Sequence, residues 1–382
     1  MTPAWAGTIN GGYANGLYIQ TDDEKYRLKF NFQLQPQYQF LSIDHQGDVS
    51  TFQLRRAKIF FSGHAFTKPL TYQFEFDLAS GRTFTVSPGR ADSGPSLQDA
   101  FLNYAFSDAL KVRVGQFKVY FSREELSYTS HLQFVDLSLT NEVFSFHRDI
   151  GVALHGTLDD KKWEYAFYVM DDGSNRNAAN KNKAVLLGGR FLWNILGEPA
   201  YAMGDINYSE SDISHSETPQ LAVAVASNFN RVRPIQTASD NSVSSATSDV
   251  IYRYRGLSAL GIGYYTTNLN LDTQTFGYLG QVGYFLIPKH FEVASRYAGV
   301  MPSGPSDSNG YEIGFDLNYY FYGHKLKLQA DYNILINSPL VYGAGGAAGV
   351  SLPNNIVTTG GAPGFNAGQD DHQARLQLQL YL

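Results

Sequence analysis

From Tyr26 to Phe40 hydrophobic and polar positions alternate without a break. Tyr26, Leu28, Phe30, Phe32, Leu34, Pro36, Tyr38 and Phe40 fall on one face; Arg27, Lys29, Asn31, Gln33, Gln35, Gln37 and Gln39 fall on the other. A period of two marks an extended strand between two different surroundings. The run exceeds the roughly 5–6 residues usual in globular sheets and is long enough to cross a bilayer at a tilt. Pro36 cannot donate to a ladder, so it requires an edge, a strand end or a bulge. Similar alternation recurs at Leu70–Leu78, Trp163–Val169, Tyr311–Phe321 and Leu326–Ile334, and at Leu376, Leu378, Leu380 and Leu382, which oppose Arg375, Gln377 and Gln379.

Sixteen such segments are read, at about 26–41, 51–66, 70–79, 97–106, 109–117, 148–157, 162–171, 184–194, 219–229, 247–255, 258–268, 275–287, 290–300, 310–322, 324–337 and 371–382. Short connections such as Thr67-Lys68-Pro69 and Ser107-Asp108 trade with long ones such as 79–96, 230–246 and 338–370. An even number of strands with short periplasmic turns and long external loops is the pattern of an outer-membrane barrel. The connection at about 195–218 breaks the rhythm, being long on the turn side. The fold expected is therefore all-β: a 16-stranded antiparallel transmembrane β-barrel over 26–382, with 1–25 as an N-terminal, periplasmic extension. Ala4-Trp5-Ala6 before Gly7 reads as the small-residue end of a removed export signal. A soluble β-sandwich is the rival, but its strands are usually shorter and its outer face polar.

Composition supports the barrel. Twenty-six Tyr, 26 Phe and 36 Gly with no Cys describe an aromatic, turn-rich β protein without disulfides or thiolate metal sites. No apolar run reaches the 18 or so residues of a membrane helix. A net charge of −6 argues against a nucleic-acid partner. G-x-S-x-G, H-E-x-x-H and P-loop signatures are absent from the sequence. His64 and His155 point inward but have no specific spacing to a serine and an acid. No enzyme, cofactor or metal centre is expected; the expectation is a passive channel.

Between the fifth and sixth strands, residues 118–147 carry Val119, Phe121, Leu126, Leu132, Phe134, Val135, Leu137 and Leu139. That is too apolar for a solvated tip. The segment is expected to fold inward as a third, constricting loop, with Gly151 and Ala153 leaving room in the wall. A rim cover or subunit contact is the alternative.

Within 51–66 the alternation slips by one residue between Arg55 and Arg56. Phe52 and Leu54 face out before it, and Ala57, Ile59 and Phe61 after it. A β-bulge there turns both guanidiniums inward with Lys58. Over the first five strands the inward charges are Arg27, Lys29, Arg55, Arg56, Lys58, Lys111 and Arg113 against Glu75, Asp77 and Asp99. Lys118 and Arg123 join them from the loop, tempered by Glu124, Glu125, Asp136 and Glu142. A basic lumen in a low-dielectric wall favours anions. Ordinary wall solvation, with the arginines paired to acids, is the alternative for the pair. On the anion view, replacing both with Glu shifts selectivity toward cations and leaves folding intact.

The stretches Phe52-Gln53-Leu54-Arg55-Arg56-Ala57-Lys58, Tyr72–Leu78, Asp99-Ala100-Phe101-Leu102-Asn103-Tyr104, Val112-Arg113-Val114-Gly115-Gln116-Phe117-Lys118, Phe121-Ser122-Arg123-Glu124-Glu125-Leu126 and Arg148-Asp149-Ile150-Gly151-Val152 resemble the phosphate-selective porin O/P family, densely over about 50–157. The resemblance implies a sixteen-stranded, usually homotrimeric barrel in the bacterial outer membrane, in contact with its lipid and lipopolysaccharide. It places Arg55 and Arg56 where that family carries paired lumen arginines, and it implies small anions such as phosphate as permeants. A general or sugar-permeable porin is the alternative, since the glutamine face of the first strand also suits neutral solutes. Leu382 departs from the Phe that commonly closes such barrels.

Overall fold

In the computed structural model, which describes residues 8–44, 47–79, 95–171, 185–197, 209–232, 241–270, 272–303, 309–338 and 370–382, sixteen long strands close into one antiparallel ring. A short hairpin comes first, β1 (Ile9–Tyr13) and β2 (Leu17–Thr21). The barrel strands are β3 (Arg27–Ile43), β4 (Gly47–Ala65), β5 (Thr67–Asp77), β6 (Ser96–Ser107), β7 (Leu110–Lys118), β8 (Arg148–Leu158), β9 (Trp163–Met170) and β10 (Val185–Leu196). They continue as β11 (Gln220–Val232), β12 (Asn241–Tyr254), β13 (Leu257–Asn268), β14 (Thr273–Ile287), β15 (Phe291–Pro302), β16 (Gly310–Tyr320), β17 (Leu326–Ile336) and β18 (Asp370–Tyr381). Each pairs with its neighbours in sequence, and β18 returns to β3 from His372↔Ser42 to Tyr381↔Gln33. Among the described strands closure leaves no unpaired edge in the wall, as a lipid-exposed sheet requires.

The distribution of side chains is inside-out. Phe52 is 85% exposed and Phe167 61%, whereas Gln35, Lys327 and Gln377 are 0% exposed. In a soluble sandwich the apolar face turns to a core; here it faces outward along strand after strand. Rings near the short turns, including Phe66, Phe106, Phe321, Tyr322 and the stacked pair Trp163 and Trp193 at 4.8 Å, form an interfacial girdle.

All sixteen expected segments are present. The largest boundary differences are the starts of β12 and β4, where Asn241–Ala246 and Gly47–Ser50 continue the ladder beyond the expected ends. Beyond the lipid band nothing requires apolar outward positions, so the alternation that reveals a strand fades there. Within the stretch expected as an N-terminal extension, residues 9–21 form the hairpin, and β2 pairs with Arg27–Phe30 of β3 below the reach of β18. Residues 4–7 of the suspected export signal lie outside the described residues.

The expected bulge is observed. Gln35 pairs with Arg56 and Pro36 with Leu54, so Arg55 is the extra residue, and it lies opposite the proline. One irregularity accommodates the missing N–H and turns both arginines inward.

Candidate functional site: the inward loop and its ion pairs

The neck between β7 and β8 is pinned by Val119 N–H donating to the His147 carbonyl at 2.9 Å. The enclosed loop, L3, carries two short helical turns, α1 (Arg123–Leu126) and α2 (Leu139–Phe144). Ser138 caps α2 by accepting from Asn141 N at 3.2 Å. Val119, Phe121, Leu126, Leu132, Phe134, Val135, Leu139 and Phe144 are all at most 2% exposed, so the loop lies inside the barrel.

Space for it comes from the opposite wall. A Cβ on Gly277 would stand 2.3 Å from the Phe144 ring, one on Gly283 1.8 Å from the Gln133 amide, and one on Gly314 2.9 Å from the Phe134 ring. Phe144 stacks on Tyr264 with centroids 5.0 Å apart. Gly277→Val is therefore expected to unseat α2, lower the temperature at which the folded, fast-migrating gel form is lost, and make single-channel current noisier. Wild-type behaviour in both measurements would show that L3 does not depend on this glycine.

Four polar clusters hold L3. On β4, Arg55 Nε and Arg56 Nη2 donate to the two oxygens of Asp136 at 2.7 and 2.6 Å. Burial alone would raise the Asp136 carboxyl, but the two guanidiniums hold it well below the usual carboxylate range. Beside this pair, Arg148 on β8 donates to Asp99 at 2.6 Å and lies 3.4 Å from Glu75 and 3.7 Å from Glu125. Lys58 meets Glu75 at 2.7 Å and His147 meets Glu125 at 3.1 Å. On the far wall Arg123 and Arg190 each reach Asp249 at 2.5 Å. Arg296 pairs with Glu312 at 2.5 Å and lies 4.2 Å over the Phe134 ring, while Lys327 donates to the Leu132 carbonyl at 2.7 Å.

These positions revise the expected constriction. Arg55, Arg56 and Lys58 do face the lumen, but Arg55 and Arg56 share the Asp136 carboxylate and Lys58 is paired with Glu75. Arg123, expected beside them, is bonded to the opposite wall because α1 carries it across the lumen to β12. Glu124 accepts from Ser138 within the loop, at 3.1 Å from the backbone N–H. Lys111 lies at the turn, 3.9 Å from Asp108, and Arg27 stands over the Tyr18 ring at 4.4 Å, both at the periplasmic end. Lys29 makes no ion pair among the described residues. His155 bonds Asn103 at 2.7 Å and His64 the Glu24 carbonyl at 2.8 Å, so neither meets a serine and an acid.

Two cations stand apart. Arg113 and Lys118 border a small recess between L3 and β5–β7, lined also by Gln73, Asp99, Tyr120 and Tyr128. Arg113 lies 4.2 Å over the Phe101 ring with its Nε buried and without an acceptor; Lys118 donates to the Ser127 carbonyl at 2.8 Å. Neither makes an ion pair among the described residues, since Asp99 is taken by Arg148. The hub Arg148 was visible in the sequence only as part of Arg148-Asp149, with nothing to separate it from other strand cations.

A closed sixteen-stranded barrel with an apolar outer belt, a polar lumen and an inward third loop is the architecture of a bacterial outer-membrane porin, a channel for passive diffusion. The chain belongs to the phosphate-selective porin O and P family, whose model matches residues 26–335. Its fold is similar to that of the anion-selective porin from Comamonas acidovorans, at 12% identity and TM-score 0.61 over 93% of this chain and 99% of that one. It is also similar to the outer membrane channel DcaP of Acinetobacter baumannii, at 10% and 0.60 over 95% and 99%. The trimer form of OmpT of Vibrio cholerae matches at 12% and 0.53 over 93% and 99%. No curated protein matches the chain by sequence.

Proposed function

We propose that this porin prefers small anions, phosphate among them, and that Arg113 and Lys118 attract them. The carrying observation is that these two cations face the recess beside L3 and make no ion pair among the described residues, while Arg55 and Arg56 share Asp136 and Lys58, Arg123 and Arg148 are each paired with a carboxylate. In water two unit charges about 4 Å apart interact by roughly 1 kcal/mol, and at an effective dielectric near 20 by about 4, so an unpaired cation in a narrow passage weighs more than several paired ones. The family and the anion-selective Comamonas porin point the same way. Neutral solutes find less support. Gln35 donates to Gln379 at 2.8 Å and Gln53 to Gln37 at 2.7 Å, so these glutamines satisfy one another. A homotrimer in contact with lipopolysaccharide is the assembly proposed, in keeping with the family and the OmpT trimer form.

The test is the zero-current potential across a planar bilayer in a salt gradient. Wild type is expected on the anion side, with chloride current blocked by phosphate. Arg113→Glu with Lys118→Glu is expected to move the potential toward cation preference by tens of millivolts and abolish the block. An unchanged potential in that variant would remove these residues from the selectivity mechanism.

A further inference from the structure

The connection between β10 and β11 lies at the end of the barrel where the other turns are short, and its described part does not stay outside. Ser209, Glu210, Ser211 and Asp212 are all buried. Glu210 accepts from Gln133 N at 2.9 Å and from the Gln281 side chain at 3.1 Å. The Ser211 carbonyl accepts from Arg253 at 3.2 Å, and the Asp212 carboxylate from Gly256 N at 2.8 Å. The segment thus enters from the periplasmic turns, runs along lumen-facing groups of β12 and β14, and meets the tip of L3 from below.

Two imidazoles lie at the meeting point. His131 of L3 and His324, in the turn between β16 and β17, have ring centroids 4.4 Å apart. The Ser209 hydroxyl bonds His324 Nε2 at 2.9 Å, and the Ser130 hydroxyl bonds His131 Nδ1 at 2.9 Å. The charged groups acting on the pair are Lys327 and Arg253, both cations. Tyr128, Tyr320 and Tyr381 supply the adjoining rings. The nearby carboxylates are engaged elsewhere: Glu210 with Gln133 and Gln281, and Glu292 with Tyr320 and Gln133. A proton arriving on either ring meets a second imidazole and two cations, and no carboxylate among the described residues is bonded to the pair.

We propose that Ser209–Ser216 is a periplasmic plug held by Ser209 on His324, whose ring contacts His131 of L3, and that protonation of this His131–His324 pair releases the plug and widens the lumen. Burial, joined by the neighbouring cations, holds both imidazoles below their ordinary range in the latched state. Once released and solvated they titrate near 6.5. The latched state therefore binds fewer protons, so the latch is intact above about pH 6.5 and weakens as pH falls below it. The plug is independent of which ions the channel prefers.

Single-channel conductance at about pH 7.5 and about pH 4.5, on either side of the free imidazole value, tests it in three proteins: wild type, His131→Gln with His324→Gln, and a variant with residues 209–216 replaced by glycine and serine at equal length. Wild-type conductance is expected to rise at least about twofold in acid, the histidine variant to stay level, and the glycine–serine variant to conduct at the higher level at both values. A wild type without an acid response, or an equal response in the histidine variant, overturns the latch. A glycine–serine variant that conducts like wild type at neutral pH overturns the plug. Should the double variant not fold, His324→Gln alone carries the same comparison.

Discussion

Replacing Asp136 with Ala is expected to make the channel markedly more anion-preferring and, at the same time, less heat-stable. The carboxylate is 0% exposed and is shared by Arg55 and Arg56, offsetting one of their two charges. Its removal leaves two inward guanidiniums without their shared partner and unties L3 from β4. Removing one partner of a buried ion pair costs about 3–5 kcal/mol; Arg55, with its side chain 12% exposed, reaches water and softens that cost. The zero-current potential should move further to the anion side, and the folded gel form should be lost at lower temperature. If neither moves, the arginines are held by other contacts and Asp136 is dispensable. The inverse change fares worse than the sequence implies. Arg55→Glu with Arg56→Glu, expected from sequence to leave folding intact, places three carboxylates at one buried point, where like charges about 4 Å apart repel by roughly 4 kcal/mol at an effective dielectric near 20. Loss of the folded form, rather than a clean reversal of selectivity, is the outcome expected for that pair.

A larger loss of stability is expected from Asp249→Ala. Arg123 and Arg190 both end on this carboxylate, and all three side chains are at most 1% exposed. No water route comparable to that of Arg55 relieves the stranded charges. Arg190 also donates to the Phe121 carbonyl at 2.7 Å, so the cluster fixes the stretch that leads into α1. Without it L3 loses its hold on the β12 wall, and wide, fluctuating conductance levels should accompany a loss of about 3–5 kcal/mol. Asp249→Asn, which keeps the shape and one acceptor, should fall between wild type and Ala. Steady wild-type conductance in Asp249→Ala would show that the Asp249 cluster is not needed to position L3.

The wall of this barrel was legible because lipid and water impose opposite demands on alternate residues, and Phe52, Leu54, Ala57, Ile59 and Phe61 record both that demand and its interruption. From the interruption the inward turn of Arg55 and Arg56 followed directly. Their partner did not. Asp136 lies 81 residues from Arg55, and nothing in the local pattern distinguishes it from Glu124, Glu125 or Glu142 in the same loop. The rule that fails is the counting of wall charges, because an inward loop delivers counter-charges from outside the strands. The glycines that receive L3 were equally silent, since Gly277, Gly283 and Gly314 read as ordinary wall positions until the ring or amide opposite each is known. The overlong connection at 195–218 was visible as an anomaly, but its length alone gave no direction, and the inward course of Ser209–Asp212 is set by tertiary partners.

The hairpin of β1 and β2 bears on how such a wall is assembled. The seam between β3 and β18 joins segments separated by most of the chain, so it is the pairing that loop-closure entropy delays most. Until β18 arrives, one edge of β3 offers a row of free N–H and C=O groups to any passing strand. β1 and β2 lie next to β3 in sequence, and β2 pairs with Arg27–Phe30 and leaves Gln33–Ser42 for the late strand. Part of the vulnerable border is thus hemmed early by a local fold. In the finished barrel the same hairpin meets the far side of the seam, where Lys325 donates to the Tyr13 hydroxyl at 3.0 Å, so a guard during assembly becomes a clasp afterwards.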